Sequence, residues 1–150
     1  MGIAALITWI LTAAGGFFLL ATWIAKGGAR GGRPGSTRFP PAVIFGHFLL
    51  AAAGLIVWII YLITATDALA WTAFIILVPV ALLGFAMLIR WIPTYRARAV
   101  AATGGPGADT APGRGPAERH FPLAVVGGHG LLAVITLVLV LLTALGVGGS

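Results

Sequence analysis

Two histidines occupy the same place in two copies of one phrase. Phe39-Pro40-Pro41-Ala42-Val43-Ile44-Phe45-Gly46-His47 returns as Phe121-Pro122-Leu123-Ala124-Val125-Val126-Gly127-Gly128-His129. The offset is 129 − 47 = 82, and the agreement continues through Leu49/Leu131, Leu50/Leu132, Ala51/Ala133 and Leu55/Leu137. Imidazole titrates near neutral pH, carries protons and is a common metal ligand. Two imidazoles at equivalent positions could grip one ligand from two sides.

The elements that hold them must be membrane helices. Of the 150 residues, 60% are hydrophobic and only 8% charged, and the mean hydropathy is +1.09. So little polar surface cannot cover a soluble globule. Four stretches, about 3–25, 40–64, 69–92 and 121–147, carry no charge apart from Arg90 near the end of the third, and they reach the roughly 20 residues that a spanning helix needs. The first has no basic residues before it and is read as a retained helix, not a cleaved leader. The chain is therefore expected to be a single all-α membrane domain over 1–150: a bundle of four transmembrane helices. An ionisable group inside such a segment is costly to bury, which makes each histidine a candidate for function.

The basic residues fall in two loops, with Lys26, Arg30, Arg33 and Arg38 after the first span and Arg90, Arg96, Arg98, Arg114 and Arg119 after the third. The positive-inside rule places both loops, about 26–39 and 93–120, in the cytoplasm and both termini outside. A bacterial plasma membrane is the expected location. The net charge of +6 fits topology and attraction to anionic lipid, while no recognition module accompanies it to suggest nucleic acid. With no cysteine, thiolate metal sites, iron–sulfur clusters and disulfides are excluded. No acid, cysteine or serine–histidine arrangement converges to suggest a hydrolase or transferase.

The first and third spans also match, at an offset of 68: Ala5/Ala73, Ile7/Ile75, Ala13/Ala81, Gly16/Gly84, Phe17/Phe85, Leu20/Leu88, Trp23/Trp91 and Ile24/Ile92. The unit is thus a two-helix hairpin, present as repeat 1 (about 3–64) and repeat 2 (about 69–147). Two spans per repeat bring both copies into the membrane the same way, as parallel repeats. Each histidine lies eight residues past its phenylalanine, roughly 12 Å along the axis, too deep to snorkel to water. The Phe-Pro pairs read as helix starts, Pro79 as a kink, and Trp23 and Trp91 as part of the interfacial aromatic belt.

Small residues surround both histidines: Gly46, Ala51 and Gly54 in one copy, Gly128 and Ala133 in the other. They could leave a slot for a flat ligand, and imidazole is a natural axial ligand of haem iron. His47 and His129 are the candidate metal ligands. Gly46, Gly128, Ala51, Ala133 and Gly54 are candidates for the slot, and Arg38 and Arg119 are candidate partners for haem propionates.

Four spans with two buried histidines resemble small four-helix transmembrane cytochromes of the b type, an architectural likeness confined to the helices. It implies electron transfer through one bis-histidine haem b between the second and fourth spans, with a membrane quinone, a redox partner or a larger membrane complex as associates. The chain departs from the two-haem members of that kind, which carry more ligating histidines. Two other readings use the same residues: an accessory subunit without chemistry of its own, and a small proton or metal transporter. A homodimer contributing ligands across chains is also open.

Overall fold

The computed structural model describes residues 1–29, 35–102 and 115–147. Arg30, Arg33 and Arg114, and the 103–114 stretch expected to be irregular, lie outside the described residues. Within them are four long helices: α1 (Gly2–Ala25), α2 (Pro41–Thr64), α3 (Asp67–Ala102) and α4 (Leu123–Ala144). A short 3-10 turn, Ala117–His120, leads into α4, and the described residues contain no strand. All four helices are long and apolar enough to cross a hydrocarbon core. Their outward faces carry large apolar side chains, with Ile63 78%, Leu82 66% and Ile3 62% exposed. Lipid, not water, suits such a surface, and the chain is a multi-pass, all-α membrane protein.

Local chemistry explains the helix ends. Pro41 opens α2, where its missing N–H costs nothing, and Pro122 precedes α4. Past α1, Gly27 takes φ +84°, and the N–H of Gly28 returns to the carbonyl of Trp23 at 2.9 Å, a glycine-terminated stop. The α2–α3 turn is only Ala65 and Thr66, and Ala65 adopts φ 50°, ψ 32° to close it.

The third helix departs from expectation. It continues through Pro79 and Pro93 to Ala102, so the first ten residues of the expected 93–120 loop are helical. Proline removes one hydrogen bond from the helix but does not end it where other contacts hold the segment. Here Arg90 Nη1 donates to the carbonyl of Arg38 at 3.3 Å and Arg98 Nη1 to that of Arg119 at 3.1 Å, docking the extension against both connecting segments.

Packing is closest between α1 and α4 and between α2 and α3; α3 and α4 pack less extensively, α1 and α2 less again, and α1/α3 and α2/α4 lie across the diagonals of the bundle. The closest partners thus join one half of the chain to the other, and neither expected hairpin contains the closest pair. Lipid tails are as apolar as leucine, so close packing at small residues and hydrogen bonds must hold the helices together. Ala5, Ala70 and Ala73 are fully buried, and the hydroxyl of Thr136 on α4 donates to Thr8 Oγ1 on α1 at 3.0 Å. Buried apolar residues form two clusters: one around Trp9, Trp58, Leu77 and Val140 toward the Ala65–Thr66 turn, the other around Trp23, Phe39, Trp91 and Phe121 at the basic end.

At the basic end the fully buried Glu118 ties the two connections together. Its carboxylate accepts from the N–H of Arg38 and from the Thr37 hydroxyl at 3.0 Å. Its backbone carbonyl accepts from Trp91 Nε1 at 3.1 Å, and Trp23 Nε1 donates to Thr37 Oγ1 at 2.9 Å. Both indoles are buried, at 0% and 4% exposure. They are therefore inward hydrogen-bond donors and not members of an outward aromatic belt.

Ala65 carries a Cβ in the left-handed region, where glycine is preferred. Ala65→Gly should stabilise the bundle by about 0.5–1 kcal/mol, seen as a higher thermal midpoint in detergent.

Candidate functional site

Between the two apolar clusters the core changes character. His47 from α2 and His129 from α4 meet there with ring centroids 6.3 Å apart and planes inclined by 58°. Both are half-buried. The pair expected at equal depth is brought together within one chain.

Each ring is anchored in the same way. His47 Nδ1 lies 3.0 Å from the carbonyl oxygen of Val80 on α3, and His129 Nδ1 lies 2.8 Å from that of Thr12 on α1. A carbonyl can only accept, so both rings carry their proton on Nδ1, and the lone pair is left on Nε2. These bonds reach carbonyls already engaged in their own helices, which is possible because of the residue one turn later. A helical side chain covers the turn N-terminal to it, so residue i+4 normally shields carbonyl i. Here residue i+4 is Gly16 after Thr12 and Gly84 after Val80. A Cβ at Gly16 would stand 3.1 Å from His129 Cε1, and one at Gly84 would stand 3.4 Å from His47 Cε1. Gly15 adds a second opening beside His129, at 3.5 Å from its Cβ.

The carbonyls and the glycines obey the offset of the third span to the first: 80 − 12 = 68 and 84 − 16 = 68. The sequence pairing of Gly16 with Gly84 was visible, but their role was not. What would have exposed it is that each follows, by one turn, the position where a buried imidazole needs an acceptor.

The other expected site residues are placed as follows. Nothing lies within 4 Å of where a Cβ would be at Gly46 or Gly128, so neither is a point of close helix approach. Gly54 is such a point: a Cβ there would be 3.2 Å from both Ile76 and Trp9, which fill the space beside it. Ala51 packs against the cluster around Trp9 and Trp58, and Ala133 is half-buried. Arg38 is exposed and Arg119 half-buried; both line one cavity at the basic end together with Arg98. Phe39 and Phe121, centroids 6.3 Å apart, stand between that cavity and the imidazoles. His120 is exposed on the 3-10 turn, with Nδ1 on the Ala117 carbonyl at 3.2 Å.

Among the described residues no three His, Cys, Asp or Glu side chains converge. A metal held here would have two protein ligands, and its other positions would be filled by something the metal brings. A haem iron, four of whose ligands come from the macrocycle, matches that donor set. In number and chemical type the two imidazoles fit such a group.

The glycines give a direct test. Gly16→Val or Gly84→Val should drive a side chain into an imidazole and destabilise the bundle by about 1–3 kcal/mol, whereas Gly46→Ala and Gly128→Ala should be neutral or stabilise by up to about 1 kcal/mol. Thermal midpoints of the four variants in detergent distinguish the two classes. Comparison with protein families, with curated proteins and with solved structures returns no match for this chain.

Proposed function

We propose that this chain is a membrane electron-transfer protein in which His47 and His129 hold one haem b between α2 and α4. The observation that carries the reading is the close imidazole pair, with each Nδ1–H committed to a backbone carbonyl and each Nε2 without a hydrogen bond among the described residues. A metal-binding histidine commonly donates its other ring N–H to a carbonyl or carboxylate, which fixes the tautomer and ring orientation and raises ligand basicity. Thr12 and Val80 supply those carbonyls, and Gly16 and Gly84 make them reachable. The apolar clusters on either side keep water from the layer, and burial is one of the protein's means of setting a potential. The haem would supply a one-electron cycle between ferric and ferrous iron. A lipid-soluble quinol suits as donor, since it reaches the bundle through the bilayer.

Two parallel repeats are part of this reading, supported by the matching histidine, carbonyl and glycine positions. So is the orientation with both basic segments cytoplasmic. The chain has no cysteine of its own, so one introduced at Thr66 should react with a membrane-impermeant thiol reagent in intact cells, and one at Lys26 only after permeabilisation. The reverse pattern would invert the topology.

A second reading is favoured by the same hydrogen bonds. His47 ties α2 to α3 and His129 ties α4 to α1, as struts would in an accessory subunit with no redox role. Optical spectra of the detergent-purified protein, oxidised and then reduced, separate the two. The electron-transfer reading expects a sharp reduced b-type signal from wild type that is lost in both His47→Ala and His129→Ala. A colourless wild type from haem-replete cells, with both variants less heat-stable, would leave the strut reading in its place.

A further inference from the structure

At the basic end, on the far side of the Phe39–Phe121 pair from the imidazoles, a cavity of about 120 Å³ opens among Arg38, Arg98, Arg119, Thr94, Gly115 and Pro116. Thr94 is only 4% exposed, and its hydroxyl is the one buried side-chain polar atom among the described residues that lacks a hydrogen-bond partner. A threonine in a helix would ordinarily donate to the carbonyl one turn back, as Thr12, Thr22, Thr64 and Thr72 do here. Thr94 follows Pro93 and does not. A buried hydroxyl left in this state is destabilising by about 1–3 kcal/mol, and an acceptor in the cavity would remove that penalty.

The charges around it call for an anion. Arg98 and Arg90 donate to backbone carbonyls, not to carboxylates. Arg119 folds across Gly115, with its Cδ and Nη1 2.8 Å from where a Cβ would stand. The acids among the described residues are Asp67 and Glu118. Asp67 is at the opposite end of α3, and both carboxylate oxygens of Glu118 are taken by Arg38 N–H and Thr37. Arg38, Arg98 and Arg119 therefore line one cavity toward which neither carboxylate of the described residues is turned.

Depth points to the source of the anion. Thr94 is 94 − 67 = 27 residues from the start of α3, roughly 40 Å along the axis. A bilayer is about 40–45 Å thick with its headgroups, so the cavity stands at the headgroup level of the basic side. We propose that it binds the phosphodiester of an anionic lipid headgroup, with Arg98 and Arg119 pairing its oxygens, Arg38 closing the exposed side and the Thr94 hydroxyl donating from within. The proposal is independent of what the histidines hold.

Native mass spectrometry of the full chain in mild detergent tests it, with phosphatidylglycerol, phosphatidylcholine of the same acyl chains, and inorganic phosphate as probes. The expected result is preferential retention of phosphatidylglycerol, weakened at least about tenfold in the Arg98→Gln/Arg119→Gln double variant and about tenfold in Thr94→Val. Thr94→Val keeps the shape of the side chain and removes a hydroxyl that has no protein partner. Without lipid it should therefore be as heat-stable as wild type or more so, and it decides the question if the arginine variant fails to fold. Displacement of the lipid by millimolar inorganic phosphate would keep the phosphate site and assign it to a soluble ligand. Equal retention of both lipids, or phosphatidylglycerol binding untouched by Thr94→Val, would overturn the proposal.

Discussion

A hydrogen-bonding group inside a bilayer has no water to fall back on, and the architecture follows from how two imidazoles meet that constraint. A histidine on a lipid-embedded helix must reach an acceptor on another helix, yet every carbonyl there is already used and shielded. Removing one side chain, one turn after the carbonyl, opens the approach. Thr12 with Gly16 and Val80 with Gly84 are two instances of this device. Together they fix which helices lie side by side: His129 draws α4 to α1, and His47 draws α2 to α3. Once those pairs form, the two rings face each other across the centre of the bundle.

The basic end meets the same constraint with a different group. Glu118 is fully buried without an arginine on its carboxylate; a backbone N–H and a hydroxyl satisfy it instead. The arginines nearby direct their own donors to carbonyls of the connecting segments. Hydrogen bonds to an ionised acceptor are stronger than neutral ones, so a single acidic residue can hold the segment before α2 and the segment before α4 in one plane, with Trp23 and Trp91 donating into the same network. The bundle is thereby pinned at two levels, the imidazole layer and this carboxylate layer, with aromatic packing between them.

What could be read from the chain and what could not divides along physical lines. The four spans follow from hydropathy and length, and the meeting of His47 with His129 follows from duplicated positions and the cost of facing lipid. The helix starts at the Phe-Pro pairs follow from the chemistry of proline. Pairwise geometry was less legible. Gly46 and Gly128 adjoin the histidines in sequence, but neighbouring helical residues point about 100° apart, so smallness beside a histidine does not mean space beside its ring. Gly16 and Gly84 are remote in sequence and were visible only as matched letters. Pro93 and the arginines after it read as the end of a span, because local signals do not report that an extension will be docked at Arg38 and Arg119. Nor does an indole near a helix end announce which way it faces; Trp23 and Trp91 turned inward because acceptors were waiting there.

The exchange of partners between halves also bears on how such a protein is made. A nascent chain delivers α1 and α2 to the bilayer first, and at that stage neither helix has its close neighbour: the acceptor for His47 arrives with α3, and the donor for the Thr12 carbonyl arrives last of all, on α4. The first two spans must wait in the membrane with an imidazole unanchored. The first of these four helices is thus completed by the fourth, so the bundle closes only when all four are in the membrane together.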